Sequence, residues 1–232
     1  MARNAGRTWS VPVEALFLAR PNRFTAIVHL EGRRVKAHLP NPGRLTGTLA
    51  PGRVVLLVGP FARPRRLPYT VVAVREGTTL VGTVTTYANE LFLRGWQAGL
   101  FPELGHGPLL REVQRGRSRF DFQVGRTLVE VKSVTLARNR TGLFPDAVTA
   151  RGARHLDELA QQARQGEPAA VVFVAQRGDV DRVGPAFDID PRFTRSLREA
   201  AQAGVVLLAC AARITPAGAR GLRRVPVVLN PD

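Results

Sequence analysis

The stretch SRFDFQVGRTLVEVK, residues 118–132, predicts a tight β-hairpin. Apolar and polar residues alternate on either side of Gly125-Arg126, as they do in two half-buried strands. Glycine at the first central position suits a two-residue type II′ turn, and such a turn pairs Val124 with Thr127. The turn therefore fixes which residues face each other along both strands.

This register brings two carboxylates and a lysine to one face of the hairpin. Counted outward from the turn, Asp121 faces Glu130, and Lys132 follows on the same side as Glu130. The opposite face is predicted to be apolar and to consist of Phe120, Phe122, Val129 and Val131. We therefore expect one face of the hairpin to be buried in a core and the other to present a compact charged cluster.

The charged cluster indicates a divalent metal site. Two carboxylates at close range repel each other unless a cation neutralises them, and Mg²⁺ binds through one or two carboxylates while it keeps water and accepts a phosphate oxygen. We predict Asp121 and Glu130 as ligands, with the carbonyl of Val131 as a third ligand and Mn²⁺ as an alternative ion. Lys132 would assist the attacking water and offset charge on the phosphate, so the predicted reaction is phosphodiester hydrolysis. A solvated salt-bridge face is the alternative interpretation.

The overall charge favours a polyanionic partner. Of the 232 residues, 34 are basic and 18 are acidic, which gives a formal net charge of +16. Nucleic acid fits this surplus better than a membrane surface does. All the basic residues are arginine except Lys36 and Lys132. Lysine is a compact donor of adjustable pKa and arginine is not, so a lysine at position 132 supports a chemical role. Lys36, in contrast, lies in a predicted barrel strand without a neighbouring carboxylate motif.

The same sequence argues against a membrane or a secreted protein. The longest apolar runs, such as residues 203–212, fall short of the roughly 18 residues that a bilayer span needs. The arginines near the N-terminus are not followed by an apolar core of the kind a signal peptide has. The single cysteine, Cys210, permits no internal disulfide and fits a reducing compartment. We expect a cytoplasmic protein that associates with the nucleoid.

Residues 1–85 are predicted to form a small β-barrel. Short strand-like runs separated by Pro and Gly turns lie at residues 16–19, 25–30, 35–39, 53–58, 70–74 and 80–84. A barrel of this size with a basic surface resembles an OB-fold, whose open strand face binds single-stranded nucleic acid. Candidate stacking aromatics are Phe17, Phe24, Phe61 and Tyr69. A structural barrel with solvated arginines is the alternative.

Residues 86–232 are predicted to form a mixed sheet with flanking helices, an α/β or α+β arrangement. Apolar spacing predicts a helix from Thr86 and another from Thr149, which suits an N-cap. The predicted strands are 109–114, 119–124, 128–136, 169–175 and 205–211, with a further helix at 192–203. The order αβββαβαβ gives a three-stranded meander followed by a crossover.

Several strings resemble the sugar fermentation stimulation protein A family of bacteria and archaea. They are HLPNPGRLTG at 38–47, SRFDF at 118–122, VEVKSVTL at 129–136 and FPDAVTARGARHLDEL at 144–159. Asp121, eight further residues and Glu130-Val131-Lys132 also resemble the PD-(D/E)xK nuclease core, in which Phe120 stands where proline is often found. The resemblance covers nearly the whole chain. It implies an N-terminal OB-fold, a restriction-endonuclease-like domain, DNA binding without sequence preference and nuclease activity.

The same resemblance directs attention to a further carboxylate. Members of the nuclease superfamily often add an acid before the hairpin, and Glu90, Glu103 and Glu112 compete for that place. We choose Glu112, because it lies on the neighbouring predicted strand. The literal Pro145-Asp146 follows the Glu130/Lys132 pair and is therefore not the motif's first acid.

Five other residues are candidate contacts to nucleic acid. Arg44, Arg119 and Arg151 are predicted to contact phosphates. His155 lies four residues after Arg151 and shares its helix face, and Asp146 lies in the loop that precedes the helix. The predicted partner is single- or double-stranded DNA, with RNA and a homodimer left open. The alternative function is a non-catalytic DNA-binding regulatory or nucleoid protein that affects sugar-metabolism genes.

Overall fold

The N-terminal part of the chain folds into a closed five-stranded barrel in a computed structural model that describes residues 11–60 and 66–230. Its strands are β1 (Val13–Asn22), β2 (Thr25–Leu30), β3 (Arg33–His38), β4 (Val54–Val58) and β5 (Tyr69–Glu76). Antiparallel pairs join them in the order β3-β2-β1-β4-β5, and parallel pairing of β3 with β5 closes the barrel. A sixth strand, β6 (Thr79–Gly82), extends the sheet beyond β5. The predicted OB-like barrel is confirmed.

The barrel core accounts for some of the aromatics predicted to stack on bases. Phe17 is buried inside the barrel, so its prediction as a stacking residue is wrong. Tyr69 is half-buried against the same core. Phe24, in contrast, is an exposed large apolar side chain. Phe61 lies outside the described residues.

The second domain is a mixed sheet between helices, as predicted. Its helices are α1 (Tyr87–Gln97), α2 (Ala150–Arg164) and α3 (Pro191–Gln202). Its main strands are β7 (Leu109–Arg115), β8 (Ser118–Val124), β9 (Thr127–Val134), β12 (Ala169–Ala175), β14 (Val206–Thr215) and β15 (Gly218–Val225), in the sheet order β15-β14-β12-β9-β8-β7. Alternate residues of β9 serve two cores, because Val129 and Val131 pack toward α1 whereas Leu128 packs toward α2 and α3. Within residues 11–60 and 66–230, no helix is long and apolar enough to cross a membrane.

A small second sheet was not predicted. It consists of β10 (Leu136–Arg138), β11 (Thr141–Phe144) and β13 (Arg182–Pro185), with β11 and β13 parallel. The strand predicted over 128–136 is therefore two strands, because the chain leaves the main sheet at Thr135. These strands have three or four residues each, too few to show a periodicity in the sequence.

The hairpin register predicted from the turn is confirmed. Val124 pairs with Thr127, and Phe122 pairs with Val129. Gly125 has φ +55°. Arg126 keeps the negative φ that a type II′ turn requires at its second position. The short turn thus determines the positions of the charged residues along both strands.

Beyond that pair the two hairpin strands separate at Asp121. Instead of continuing the ladder, its carboxylate accepts a hydrogen bond of 2.8 Å from the backbone N–H of Val131. Across β7, Glu112 has φ +55° at the matching position. The distortion changes the face of the next residue: Phe122 contacts α1, whereas Phe120 packs with the α2 and α3 core. The prediction that Phe120 and Phe122 share one face is therefore wrong.

Hydrogen bonds connect the barrel sheet to the second domain. The N–H of Gly82 donates to the carbonyl of Gln176 over 2.8 Å, and the Gln176 side chain donates to the carbonyl of Val84 over 2.9 Å. Arg177, which is buried, donates to Glu76 of β5 over 3.2 Å. The two domains therefore share a polar interface that holds β6 against the end of β12.

Candidate active site

A cavity of about 710 Å³ lies between the barrel and the second domain. The hairpin contributes Asp121, Glu130 and Lys132 to its walls. The loop before α2 lines another side, and the barrel contributes Arg23 and the loop at residues 41–43. The structure thus brings three of the four predicted catalytic residues, all but Glu112, together in one space that both domains enclose.

Glu130 is held by a lysine and a histidine through one of its two oxygens. Its Oε1 accepts from Lys132 Nζ over 2.6 Å and from His155 Nδ1 over 2.6 Å, and all three side chains are buried. Burial by itself would raise the pKa of Glu130, but the charge of Lys132 and the hydrogen bond from His155 outweigh it and hold the pKa below its ordinary value. These two partners therefore favour the ionised form of Glu130.

The other oxygen of Glu130 has a different environment. Oε2 is buried and has no hydrogen-bond partner among the described residues. An ionised oxygen buried in this way costs free energy unless a cation or a donor compensates it. Because Glu130 lines the cavity, this unpartnered oxygen fits a metal ligand.

Asp121 has a partner for each oxygen. Oδ1 accepts from the side-chain amide of Asn89 over 2.9 Å, and Oδ2 accepts from the Val131 N–H. Burial raises the pKa of Asp121 above its ordinary value, the negative charge of Glu130 raises it further, and the two hydrogen bonds only partly offset this. Local environment thus drives the pKa values of the two carboxyls in opposite directions.

The donor set fits a hard divalent cation that keeps much of its water. Among the residues described, no group of three or more His, Cys, Asp and Glu side chains could hold a metal. Asp121 and Glu130 supply two carboxylates beside the cavity, and Val131 also lines it. Mg²⁺ is bound in proteins through one or two carboxylates together with water and substrate phosphates, so two carboxylates are sufficient.

Glu112 is not a member of this site. Its carboxylate pairs with Arg119 over 2.8 Å, and both side chains are more than half exposed. They lie on the outer edge of β7 and β8, outside the cavity. The prediction of Glu112 as a catalytic carboxylate is therefore wrong, and Arg119 lies on the same outer surface. Of the competing acids, Glu103 forms an ion pair with Arg224 over 2.7 Å.

His155 lies behind the site and not on its surface. It is 2% exposed, and its Nε2 accepts from Arg151 Nε over 3.3 Å while Nδ1 contacts Glu130. These bonds assign the proton of a neutral imidazole to Nδ1. Burial prevents the predicted contact to nucleic acid and gives His155 the role of orienting Glu130. Arg151 is exposed and lines the cavity, whereas Arg44 is exposed on the barrel loop outside it.

Asp146 connects the second domain to a barrel loop. Its Oδ2 accepts from the Leu45 N–H over 2.8 Å, and a Cβ at Gly43 would lie only 2.5 Å from each of its carboxylate oxygens. On the other side of the loop, the Arg20 guanidinium donates to backbone carbonyls, including those of Gly43 over 2.6 Å and Asn41 over 2.7 Å. The loop that lines the cavity is therefore fixed from both domains, and Asp146 is one of its anchors.

Sequence reasoning missed Asn89, Arg20 and Gln176 as site residues. Asn89 orients Asp121, Arg20 holds the barrel loop, and Gln176 donates to Ser133 Oγ on the cavity wall over 2.8 Å. In the sequence, only one property indicated Asn89 as a site residue: it is a short polar residue beside the apolar face of the helix before the hairpin. Arg20 is one arginine among many, and Gln176 directly follows a fully buried strand.

Comparisons with known proteins agree with this architecture. The family model described as the sugar fermentation stimulation protein RE domain matches residues 86–218, and the model described as the SfsA N-terminal OB domain matches residues 18–83. The chain belongs to the sugar fermentation stimulation protein family. Family homologues of the same name include one from Moorella thermoacetica, 43% identical with 88% of this chain and 91% of the relative covered. Another is from Chloroflexus aurantiacus, 40% identical with 93% and 85% covered.

A solved structure of the family shares the fold. The structure of Pyrococcus furiosus SfsA in complex with Ca²⁺ superimposes with a TM-score of 0.88 at 28% sequence identity. The match covers 95% of this chain and 97% of that one. Both domains of the chain are therefore included in the similarity.

Proposed function

We propose that this family member binds DNA without sequence preference and hydrolyses its phosphodiester bonds with Mg²⁺ or Mn²⁺. The observation that carries the proposal is the buried, unpartnered Oε2 of Glu130, a residue that lines the same cavity between the domains as Asp121. The Ca²⁺ complex of the Pyrococcus furiosus relative supports a site for a divalent cation in this fold. We propose the same kind of ion here, held by Asp121 and Glu130.

Each side chain of the proposed site has a separate role in the reaction. When bound, the cation would polarise a phosphate oxygen and lower the pKa of a bound water. Glu130 keeps its charge because Lys132 and His155 hold its pKa low, so it can bind a cation at neutral pH. Lys132 is the cation nearest the carboxylates and would offset negative charge that develops on the phosphate. Arg151 lines the same cavity and would orient the phosphate.

The charge distribution supports a sequence-independent grip on the DNA backbone. The net charge of +16 is carried almost entirely by arginines, whose guanidinium groups bind phosphates in a forked geometry. Arg23 of the barrel lines the cavity, so phosphate contacts would extend from the active site onto the barrel. Contacts to phosphates fix position and carry no sequence information.

Cleavage of labelled DNA tests the catalytic claim. Single- and double-stranded substrates are incubated with Mg²⁺ or Mn²⁺, and with EDTA as the negative control. We expect Lys132→Ala, Asp121→Ala and Glu130→Ala each to lower the rate by roughly 100-fold or more, the effect of removing a group that stabilises charge in a transition state. Glu112→Ala is the matched control, because Glu112 lies just outside the cavity, and it should keep the wild-type rate. Equal cleavage by wild type and Lys132→Ala would contradict the proposal.

A second candidate is a regulatory or nucleoid protein that binds DNA without cleaving it. The observation in its favour is the buried ion pair of Lys132 with Glu130, which would neutralise the carboxylate without any metal. This alternative predicts binding that weakens steeply with salt and survives Asp121→Ala and Glu130→Ala. Salt titrations with DNA and RNA of equal length, in EDTA, measure that binding directly and also show which nucleic acid is preferred.

A further inference from the structure

An exposed aromatic side chain follows, in sequence, a residue that lines the cavity. Phe24 occupies the turn between β1 and β2 and is 48% exposed. Its neighbour Arg23 lines the cavity that contains Asp121 and Glu130. About half of the Phe24 side chain is therefore open to a ligand that also contacts Arg23.

The backbone of Phe24 is held on both sides. Its N–H donates to Asn22 Oδ1 over 3.0 Å, and its carbonyl accepts from the Leu39 N–H over 2.9 Å. His38 Nδ1 contacts the same carbonyl over 3.2 Å, and the His38 ring lies stacked near the Phe24 ring, at 29° between planes and 6.5 Å between centroids. Hydrogen bonds thus fix the turn that carries the exposed Phe24 ring, and the His38 ring lies beside it.

Cations continue from this pair along the outer face of the barrel. In the β2–β3 register Lys36 faces Ile27 and Arg34 faces His29, on the same side of β3 as His38. Lys36 and Arg34 are exposed, and among the described residues neither forms an ion pair with a carboxylate. This face therefore carries the His38 ring, with Phe24 beside it, and two exposed cations along the same strand.

We infer that Phe24 and His38 form a base-stacking platform for a single-stranded segment of nucleic acid, whose backbone passes Arg23 into the cavity. The inference rests on the proposed function, since it assigns the substrate class of that site. Bases in a duplex already stack on their neighbours, so only an unpaired base can lie on a side-chain ring. Arg34 and Lys36 would contact the phosphates that precede this base.

Fluorescence anisotropy with a labelled oligothymidylate, measured in EDTA, tests the platform. We expect Phe24→Ala to weaken binding about fivefold or more, the loss typical of one stacked base. Phe24→Leu should lose as much, because it keeps apolar area but not a flat ring, whereas Phe24→Trp should bind at least as well as wild type. Leu110→Ala, at a similarly exposed apolar residue on β7, is the matched control and should leave binding unchanged.

Two further ligands separate base stacking from a general effect on charge or folding. An abasic strand of equal length offers the same phosphates without bases, so Phe24→Ala should bind it as wild type does. A blunt duplex should likewise be bound equally by both proteins. The inference is overturned if Phe24→Ala leaves oligothymidylate binding unchanged, or weakens binding to all three ligands alike.

The measurement is independent of catalysis because EDTA removes divalent ions. If wild type cleaves nothing but Phe24→Ala loses single-strand affinity selectively, the platform stands and the nuclease proposal fails. If cleavage depends on metal and Lys132 but Phe24→Ala binds oligothymidylate like wild type, the platform fails alone.

Discussion

The substitution His155→Ala tests whether a buried histidine sets the geometry of the proposed metal ligand. His155 and Lys132 both contact Oε1 of Glu130 at 2.6 Å, which leaves Oε2 as the oxygen without a partner among the described residues. Without the imidazole the carboxylate can rotate about its last bond, because only Lys132 then holds it. Loss of such an orienting partner typically lowers metal affinity by about 10- to 100-fold. We expect a loss in that range.

Isothermal titration of Ca²⁺ and Mn²⁺ into the DNA-free protein measures this effect without any catalytic turnover. His155→Gln should recover part of the affinity, because its amide can donate to Glu130. Arg154→Ala is the matched control. Arg154 directly precedes His155 on α2, is half exposed and forms a long ion pair of 3.9 Å with Glu158. Melting temperatures of all variants show whether the fold is intact. If a folded His155→Ala protein binds both ions within twofold of wild type, His155 does not position Glu130.

Two further predictions concern stability. Burial raises the pKa of Asp121 and the charge of Glu130 raises it further, so this carboxyl makes the wild-type protein lose stability as pH rises from the ordinary carboxyl range through that raised pKa. Asp121→Asn removes this titration, so in EDTA its melting temperature should fall less than that of wild type as pH rises through this range; an equal fall in both proteins would contradict this. The slope is the readout, because the asparagine NH2 group replaces one of two oxygens that accept hydrogen bonds and changes stability at every pH. Arg177→Ala should lower the free energy of unfolding in urea by about 1–3 kcal/mol, because it removes a buried guanidinium that bonds Asp179, Glu76 and the buried carbonyl of Thr135. Arg138→Ala, whose pair with Asp188 is half exposed, should cost less than about 1 kcal/mol, and equal losses would refute the argument from burial.

The fold was predicted where the local sequence determines geometry. Gly125 fixed the hairpin turn, and the turn fixed the pairing of Phe122 with Val129. The strand at Ala169–Ala175 was predicted to the residue, because a run of apolar residues bounded by polar ones is typical of a buried parallel strand. Helix α2 begins after Thr149, whose hydroxyl accepts from the Gly152 N–H as an N-cap does.

The sequence could not predict what depends on contacts between distant segments. Strict alternation along β8 placed Phe120 with Phe122, but a bond from Asp121 to the backbone of β9 distorts the strand between them. His155 was predicted as a surface residue because helix periodicity shows which residues share a face and not what covers that face. Arg20 acts on a loop more than twenty residues away, and nothing in its neighbours distinguishes it from other arginines.

The contact of Asp146 with Gly43 bears on how the two domains can be exchanged or separated. Residues 86–232 contain every carboxylate of the proposed site, yet a fragment limited to them would lose Arg23 and the 41–43 wall of the cavity. A barrel grafted from another protein would need glycine at position 43, because any side chain there collides with Asp146. The barrel therefore supplies one wall of the enclosure and cannot be removed without opening the cavity. Domain exchange in this protein must transfer the loop and its carboxylate anchor together.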